Sequence, residues 1–378
     1  MNSVSFFKFF TTIPYSKPLM TGRKILVAPL DWGLGHATRC IPIIRELLHS
    51  GCQVEIAASG DTGQLLLQEF PSLTHCVVPG YGISYPKKGN LFMLKMILQL
   101  PRIFSAIQKE HKWLMEKQQE HQWDLIISDN RYGLWLPSTR TIIITHQLRI
   151  MSGWGKTIDR LIQYFHDRMI LRFNQCWVPD NQDEPSLAGA LSHPHKKPHN
   201  AFYIGPLSRL EAATDEEKKI VVALSGPEPQ RTLLENKLIT IFSDKSWQGH
   251  EIVFLRGLPH LPLAPTTPPP NLVFVNHLNS TAFSNTMAEA TLVICRSGYS
   301  SVMDLVKLQK KAVLIPTPGQ TEQEYLAQWL EEKNVFHSCL QNDPKLGEVI
   351  KQAFSLPKST LQVNFEGYKK ALNDLGIQ

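Results

Sequence analysis

The stretch from Val293 to Leu326 constrains the fold of this chain more than any other part of the sequence. Apolar runs of strand length alternate there with stretches whose apolar residues follow helical spacing. In chain order, the predicted strands and helices are Thr291 to Cys295, Ser300 to Leu308, Ala312 to Ile315 and Gln320 to Trp329. A β-turn-α-β-loop-α unit of this kind builds a parallel sheet, which the sequence therefore predicts.

Polar residues follow both strands of this unit, at the strand ends where parallel sheets bind their ligands. The turn Arg296-Ser297-Gly298 precedes the first helix, and its glycine can adopt backbone angles that a residue with a Cβ resists. Backbone N–H groups at such a helix start suit a phosphate, and Asp304 could accept hydrogen bonds from a ribose. Gln320, Glu322 and Gln323 follow the second strand and could reach sugar hydroxyls. These residues suit a nucleotide that carries a sugar, although this unit alone fits an ordinary α/β core with polar turns better.

Length and composition limit the class of protein. The chain has 378 residues, which exceeds one ordinary core and predicts two domains. With 43% hydrophobic and 19% charged residues, the composition is that of a globular protein. The formal net charge of +6 suits a nucleotide phosphate or an anionic membrane surface and is too small to indicate nucleic acid. We therefore predict no nucleic-acid partner.

The cysteines and histidines do not form a metal-binding pattern. The six cysteines are scattered, without a C-x-x-C pair or a histidine at ligand spacing, which disfavours disulfides and zinc. His193, His195 and His199 lie among prolines and lysines without a nearby carboxylate or cysteine, so a solvated loop is favoured. The sequence thus predicts no metal site, and the cysteine usage fits a reducing cytoplasm.

Two apolar segments raise the question of membrane contact. Met1 to Met20 is too short to span a bilayer and is interpreted as a mobile or membrane-touching leader, or as a mis-assigned start. Leu91 to Leu100, beside Lys87 and Lys88, fits a core helix or a helix on the inner face of the membrane, and both alternatives stay open. Pro101 is expected to break or kink this helix. No window of eighteen uninterrupted apolar residues occurs, so no transmembrane helix is predicted.

The first half opens with a β-turn-α-β-α pattern that is typical of a mononucleotide-binding half. Arg23 to Pro29 is predicted as a buried parallel strand, and a helix from Cys40 to Ser50 follows a glycine-bearing turn. This turn, Leu30 to Arg39, contains G-x-G but lacks the third glycine of the dinucleotide fingerprint. A nicotinamide cofactor is therefore rejected.

Polar residues at the strand ends of the first half are candidates for acid–base chemistry. His36 lies where the turn faces a cleft, and its imidazole can accept a proton near neutral pH; the alternative is a helix-start histidine that only bonds the backbone. Asp129 is placed to orient or activate a hydroxyl; the alternative is a helix N-cap or a turn residue. His146 is interpreted as a packed loop histidine. The remaining candidates at this edge are Gly33, Gly35, Arg39 and Asn130.

A second α/β half opens with a predicted strand, Lys219 to Leu224, after a charged interdomain linker. Ser225 and Arg231 flank the proline-rich turn behind this strand and are placed to hold a diphosphate, the alternative being an ordinary turn with an exposed arginine. The predicted organisation is a leader at residues 1–20, one domain at 21–205 and a second at 206–378. The last helix is a candidate for crossing back onto the first half.

The G-x-G-H turn ending at His36 and the R-S-G unit of Arg296 to Gly298 together resemble a known family. The chain is similar to glycosyltransferases of the two-Rossmann, B-type (GT-B) fold, and more closely to family 28, whose best-known member adds N-acetylglucosamine to the peptidoglycan lipid precursor. The resemblance covers most of the chain from Lys24 onward and is sharpest from Cys295 to Tyr325. It implies an α/β fold with two Rossmann-like domains facing across a cleft, the first binding an acceptor and the second a UDP-sugar donor.

Individual positions extend the resemblance and mark its limits. Asp304 stands where the family has a ribose-binding glutamate, and Gln323 and Glu324 stand where it has paired glutamines. Ser225 to Gln230 corresponds to the family's G-G-S-Q-G-type loop, with prolines in place of glycines. His146 to Arg149 departs from the H-E-Q-N segment of the lipid-precursor enzyme, which implies a different acceptor.

The resemblance leads to a functional prediction. We expect a metal-independent glycosyltransferase that moves a hexose or N-acetylhexosamine from a UDP-sugar to a glycan or lipid-linked acceptor, without a cofactor. His36 is the predicted general base or acceptor-orienting group, with Asp129 in reserve. Helix-start amides and Arg231 or Arg296 are expected to stabilise the leaving diphosphate. Three alternatives stay open: a UDP-N-acetylglucosamine 2-epimerase, a non-catalytic nucleotide-sugar-binding module, and a membrane-surface protein without catalysis.

Overall fold

The computed structural model describes residues 22–81, 92–211, 218–258, 269–355, 358 and 361–377, and for residues 92–98 only the backbone. The predicted leader, Met1 to Met20, lies outside the described residues. So do the lysines beside the proposed membrane-contact segment and most side chains of that segment, Leu91 to Leu100.

The first half forms one parallel sheet with helices on both faces. Its strands are β1 (Lys24–Pro29), β2 (Gln53–Ala57), β3 (Thr74–Cys76), β4 (Leu125–Asp129), β5 (Arg140–Ile144), β6 (Gln175–Val178) and β7 (Ala201–Tyr203). Its helices are α1 (Leu34–His49), α2 (Gly60–Glu69), α3 (Phe92–His121) and α4 (Lys156–Ile170). Over the described residues the strand order is β3-β2-β1-β4-β5-β6-β7, and each neighbouring pair is parallel.

The continuous apolar run in β1 explains why both faces of this sheet are covered. Ile25 and Val27 point to the core beneath α1 and α2, whereas Leu26 and Ala28 pack with Leu114 of α3. A strand buried on both faces has no polar alternation. The sequence pattern and the layered arrangement therefore agree.

The second half repeats this architecture with six described strands. They are β8 (Lys219–Ala223), β9 (Glu251–Leu255), β10 (Leu272–Val275), β11 (Ala290–Cys295), β12 (Ala312–Leu314) and β13 (His337–Ser338). The helices are α5 (Gln230–Phe242), α6 (Ser280–Ala288), α7 (Tyr299–Lys307), α8 (Thr321–Glu332), α9 (Leu346–Ser355) and α10 (Gly367–Asp374). The order is β10-β9-β8-β11-β12-β13, all neighbouring pairs being parallel. The predicted central unit is confirmed as β11, α7, β12 and α8, and the predicted fold class of two parallel α/β halves is confirmed as well.

The structure corrects the start of the first helix and refines two further local predictions. The first helix begins at Leu34 rather than Cys40, with Gly33 before it at a φ of 85°, so His36 lies within the first turn of α1. Pro101 lies inside α3 and does not break it, so the chain continues as a helix after Pro101, as predicted. Gly298 has an ordinary extended backbone, with φ −71° and ψ 139°, and nothing lies within 4 Å of the position of a Cβ. The glycine leaves the start of α7 open rather than relieving strain.

The two sheets share one hydrophobic core. We call the sheet β1–β7 with its helices the first lobe and the sheet β8–β13 with its helices the second lobe. Ala37 and Ile41 of α1 belong to the same buried cluster as Val302 and Met303 of α7. We call this contact between α1 and α7 the interlobe seam.

Hydrogen bonds join the two lobes at the interlobe seam and beside it. Ser300 Oγ donates to the Gly35 carbonyl oxygen at 3.0 Å, and the Tyr299 hydroxyl donates to the Pro179 carbonyl oxygen at 2.7 Å. A Cβ at Gly35 would lie 2.8 Å from Ser300 Oγ, so the glycine permits this close approach. The seam thus holds the strand-end loops of the two lobes together.

The C-terminal helix α10 lies against the first lobe. Leu372 joins the shared core, and Lys369 Nζ is 3.9 Å from Glu46 Oε2 of α1. Among the described helices, none combines the length and the apolar character that a membrane crossing requires.

Candidate active site between the two lobes

His36 and Asp129 meet at the carboxyl edge of the first sheet. Asp129 ends β4 beside Pro29, the last residue of β1, and His36 lies in the first turn of the following helix. His36 Nδ1 is 3.1 Å from Asp129 Oδ1, and the Asp129 side chain is fully buried. The structure brings together the two residues predicted for acid–base chemistry.

Arg39 holds the Asp129 carboxylate in place. Its Nε and Nη2 both donate to the Asp129 oxygens, and its side chain is only 3% exposed. Burial alone would raise the pKa of Asp129, but Arg39 and His36 outweigh burial and keep this pKa well below its usual range. The Asn130 side-chain oxygen can also accept from Arg39 Nη2, at 3.2 Å. Asp129, Arg39 and Asn130 therefore support His36 from within the protein, and Asp129 does not reach the surface that a reserve base would need.

Burial also sets the protonation of His36. Desolvation is the main cause that lowers the pKa of His36 below 6.5, and Arg39 lowers it further against the opposing effect of Asp129. Although Arg39 Nη2 is 2.9 Å from Nδ1, we assign the Nδ1 proton to Asp129 because a carboxylate accepts strongly. Nε2, which has no hydrogen bond to the described residues, then carries the lone pair of a general base.

A polar contact bridges the lobes beside this pair. Glu322, at the start of α8, accepts from Gln147 Nε2, and its Oε1 is 2.8 Å from His146 Nε2. His146 follows β5 and stacks on Tyr299 of α7 with ring centroids 4.2 Å apart. His146 is a packed loop histidine, as predicted, but it also links the lobes. This link is not predictable from local sequence patterns, because Glu322 lies 176 positions from His146.

The charges of the two lobes interact at this bridge. Burial by itself raises the pKa of Glu322, yet His146, Arg39 and His36 together lower it below its ordinary value. Glu322, predicted to contact a sugar, is therefore within electrostatic reach of His36.

Three loops of the second lobe meet because they follow the neighbouring strands β8, β11 and β12. Gly226 lies after β8 with a φ of 96°, and a Cβ there would be 3.4 Å from Thr317 Oγ1 and 3.8 Å from Arg296 Nε. Thr317 Oγ1 and Arg296 Nε are both buried, and neither has a hydrogen-bond partner among the described residues. Two polar atoms with unused hydrogen bonds thus lie around the backbone of Gly226.

The two arginines predicted to hold a diphosphate differ in how many of their guanidinium nitrogens are already hydrogen-bonded. The Nη atoms of Arg296 donate to Gln341 Oε1 and to three backbone carbonyls. Burial lowers the pKa of Arg296 to about 10. Each guanidinium nitrogen of Arg231 is engaged, with Glu228, Glu235 and Thr232 as acceptors. The geometry therefore favours Arg296, through its Nε, over Arg231 as the diphosphate contact.

Asp304, the predicted ribose carboxylate, lies on α7 at the connection between the lobes. Its Oδ1 accepts from Ser208 Oγ at 2.5 Å, and burial raises its pKa to about 6 against the effects of Ser208 and Arg209. Its Oδ2 makes no hydrogen bond to a described residue. The carboxylate thus retains an acceptor for a ribose hydroxyl.

The other predicted donor-binding residues border the same loops. Ser297 Oγ donates to the Gln323 carbonyl oxygen at 2.7 Å, and Gln323 Oε1 accepts from Thr317 N at 2.9 Å. Gln320 accepts from Gln323 Nε2 just before α8. Ser225 follows β8 and is exposed.

The first lobe also contains a group of residues that the sequence spacing did not reveal. Glu55, Cys76 and His121 each place a ligand-type atom within 4.8 Å of the others. The Glu55 carboxylate already accepts from Trp123 Nε1 at 3.0 Å and lies 2.7 Å from His121 Nδ1. These residues come from β2, β3 and the end of α3, none of which carries a predicted site residue.

The sequence of this chain is similar to known glycosyltransferase sequences. Residues 274–373, which include α7, β12 and α8, match the model of the glycosyltransferase family 28 C-terminal domain. An uncharacterized glycosyltransferase from Methanosarcina acetivorans is 23% identical over 335 residues, covering 82% of this chain and 84% of that protein.

Solved structures share the arrangement of both lobes. The glycotransferase of kitacinnamycin has a TM-score of 0.62 at 14% identity, over 95% of this chain and 100% of that chain. MurG of Acinetobacter baumannii has a TM-score of 0.52 at 14% identity, over 88% of this chain and 90% of that chain. The spinosyn rhamnosyltransferase SpnG, complexed with thymidine diphosphate, has a TM-score of 0.56 at 14% identity, over 94% and 93%. At such identities the likeness concerns the fold alone.

Proposed function

Because the chain has the B-type glycosyltransferase fold and resembles family 28 in its C-terminal domain, we propose that it transfers a hexose or N-acetylhexosamine from a UDP-sugar to an acceptor hydroxyl. The donor occupies the strand ends of the second lobe. The acceptor, a glycan or a lipid-linked molecule, enters from the first lobe. The membrane contact and the cytoplasmic location inferred from the sequence remain predictions.

One observation carries this proposal: the unused hydrogen bonds of Arg296 Nε and Thr317 Oγ1 beside Gly226. A buried donor without an acceptor costs free energy, and a diphosphate oxygen would supply acceptors to both groups. The start of α7 is open beside Gly298, so its backbone N–H groups add a second attraction for negative charge. Thymidine diphosphate bound to a rhamnosyltransferase of the same fold supports a nucleoside-diphosphate donor.

Each group then has a defined part in the reaction. His36 Nε2 takes the proton of the acceptor hydroxyl while the oxygen of that hydroxyl forms a bond to the anomeric carbon of the sugar. The bond from that carbon to the diphosphate breaks, and the leaving oxygen gains negative charge. Arg296, Thr317 and the first amides of α7 stabilise this charge, which is why we propose that no metal ion is required. Asp129 orients His36 and does not itself touch the acceptor.

The arrangement of carboxylates favours transfer over epimerisation. A 2-epimerase requires acid and base groups free to exchange protons with the sugar. Asp129 is fully buried between Arg39 and His36, and Glu322 is paired with His146 and Gln147. Conversion of UDP-N-acetylglucosamine by the protein alone, without any acceptor, would contradict the transferase proposal.

We expect UDP to raise the unfolding temperature of the protein, and Thr317→Val to weaken UDP binding roughly tenfold. This change removes the hydroxyl but keeps the shape, and a lost hydrogen bond to a charged group amounts to about 1.5 kcal/mol. Binding is measured by calorimetry on the wild-type protein and the variant. Uridine serves as the matched ligand because it lacks the diphosphate, so its affinity should be the same for both proteins.

The same screen includes thymidine diphosphate, ATP and NAD. A rise in unfolding temperature with NAD or ATP but not with UDP would exclude the proposed donor class. A rise in unfolding temperature with thymidine diphosphate alone would support the proposed reaction type, with thymidine rather than uridine in the donor. If Thr317→Val lowered the affinities for uridine and for UDP by the same factor, the Thr317 hydroxyl would not contact the diphosphate.

A further inference from the structure

Three side chains of the first lobe bring three kinds of metal-ligating atom together. Glu55 of β2, Cys76 of β3 and His121 of α3 offer a carboxylate oxygen, a sulfur and an imidazole nitrogen, all within 4.8 Å of one another. Among the described residues, no other group of three or more His, Cys, Asp or Glu side chains converges in this way. Carboxylate, thiolate and imidazole are the ligands that Zn²⁺ takes in proteins.

The fold places these three side chains on one face of the first sheet. Ala57 and Cys76 are partners in the register of β2 and β3, and Glu55 lies two residues before Ala57, so all three point to the same face. Helix α3 covers this face, because its Leu114 shares a buried cluster with Ala57. His121 is the last residue of α3 and contacts Glu55. The convergence therefore results from strand register and helix packing.

The tryptophan that follows α3 orients two of the three ligands. Trp123 Nε1 donates to Glu55 Oε2 at 3.0 Å, and its ring stacks on the His121 imidazole with centroids 4.8 Å apart. His121 Nδ1 lies 2.7 Å from the same carboxylate oxygen. Side chains that ligate metals are usually held by such neighbouring contacts. A dication in place of the proton between His121 and Glu55 would leave the Trp123 hydrogen bond intact, since a carboxylate oxygen has two lone pairs.

The charges around Cys76 favour a bound cation. Cys76 is a free, partly buried thiol, and burial followed by the Glu55 carboxylate raises its pKa. Lys117 and Glu120 act on this pKa in opposite directions and pair with each other at 2.6 Å. A thiolate and a carboxylate side by side repel each other. A dication removes this repulsion and takes the place of the thiol proton.

An ion can reach this group without passing through the candidate active site. Glu55 is 13% exposed and His121 is 22% exposed, so both are accessible from solvent. His121 precedes β4 whereas Asp129 ends it, so the length of this strand separates the group from the acid–base pair. An ion bound here would therefore tie β2, β3 and α3 together rather than act on the sugar.

We propose that Glu55, Cys76 and His121 bind one Zn²⁺ ion, which fastens the C-terminal end of α3 to the edge of the first sheet. Thiolate and imidazole ligands favour zinc over magnesium and calcium, which prefer oxygen ligands. Three protein ligands leave the fourth position of a tetrahedral ion for water. Binding releases the Cys76 proton to solvent, so the affinity should rise with pH. This site does not depend on the glycosyltransferase function proposed above.

Titration of the chelator-stripped, full-length protein with Co²⁺ tests this proposal, because a bond from Co²⁺ to a thiolate gives a charge-transfer absorption in the near ultraviolet. We expect one Co²⁺ per chain and a thiolate band that Zn²⁺ abolishes by displacement and Mg²⁺ does not. Cys76→Ser should lack the band, and Glu55→Gln should bind Co²⁺ about tenfold more weakly or worse. Cys339→Ser, which removes a thiol of the second lobe, is the matched control and should keep the band.

Thermal unfolding reports the proposed stabilisation of the first lobe. Zn²⁺ should raise the unfolding temperature of the stripped wild type and leave that of Cys76→Ser unchanged, because an ion that binds only the folded chain stabilises it. Removing the ion should leave turnover unchanged while the protein stays folded. Turnover that required Zn²⁺ in the folded protein would contradict the stabilising role.

The titration can also overturn the proposal. A wild-type protein that binds no Co²⁺, or a thiolate band that persists in Cys76→Ser, would exclude the zinc site. Loss of the band in Cys339→Ser would place the ion elsewhere. Circular dichroism shows whether each variant folds. Glu55→Gln, which keeps an acceptor for Trp123 Nε1, suffices for the comparison if Cys76→Ser does not fold.

Discussion

Replacing His36 with alanine is expected to lower turnover by a factor of about 10² to 10⁴, the usual contribution of a general base, while UDP affinity stays unchanged. The imidazole lies on α1 of the first lobe, whereas the diphosphate contacts lie on loops of the second lobe. Turnover is followed as UDP release from a UDP-hexose in the presence of an acceptor. Donor binding is measured separately by calorimetry.

The pH dependence of turnover provides a second test of the role of His36. The pKa of His36 is lowered from 6.5, so the ring is neutral at pH 7 and able to accept a proton. Activity should therefore be level near neutral pH and fall as the pH drops through this lowered pKa. The residual activity of His36→Ala should lack this acidic limb.

A matched variant on the same helix makes the test specific. His49 is exposed in the last turn of α1, and His49→Ala should keep turnover within about twofold because it removes only an exposed side chain at the opposite end of the helix from His36. Unchanged turnover in His36→Ala would refute the proposed base. A parallel loss of UDP affinity would mean that His36 acts on the donor.

Replacing Arg39 with methionine is expected to destabilise the protein by about 3–5 kcal/mol. Arg39 is 3% exposed and Asp129 is fully buried, so the change leaves a buried carboxylate without its main counter-charge. Methionine keeps the helix propensity and much of the volume, which isolates the charge effect. The free energy of unfolding is obtained from urea denaturation at pH 7.

Two comparisons distinguish a charge effect from lost packing. The double variant Arg39→Met/Asp129→Asn should regain much of the lost stability, because no unpaired charge remains. Arg45 lies on the same helix as Arg39 and pairs with Glu69 of α2. Because Arg45 is 46% exposed, Arg45→Met should lower the free energy of unfolding by no more than about 1 kcal/mol. Equal losses in Arg39→Met and Arg45→Met would contradict the prediction.

Acid titration provides an independent check. The pKa of Asp129 is depressed in the folded protein, so its stabilising effect is present above the ordinary carboxyl range and is lost as the pH falls. The difference between the wild type and Arg39→Met should therefore shrink toward pH 4 and below. A difference that grows on acidification would show that Arg39 acts by another route.

Local patterns in the sequence predict the α/β units well but not the contacts between distant segments. The unit from β11 to α8 is evident because strand-length apolar runs and helical spacing are short-range features. Arg296 and Arg231 looked equivalent in the sequence. Their difference depends on which carbonyls and carboxylates fold around them, which no local pattern encodes.

The candidate site shows the same limit. His36 and Asp129 were identified because each follows a strand at the binding edge of a parallel sheet. The pairing of Glu322 with His146, 176 positions away, appears only in the folded protein. A glycine at position 298 allows backbone angles that other residues resist, but the folded chain does not use them and instead leaves space at the start of α7.

The interlobe seam has a consequence for protein engineering. Ala37 and Ile41 share a core with Val302 and Met303, and Gly35 fits against Ser300 with little room to spare. A chimera that grafts the donor half of a relative onto this acceptor half would bring together helices that did not evolve as partners. Successful hybrids would have to carry α1 and α7 over as a matched pair, whichever sugar they are meant to accept.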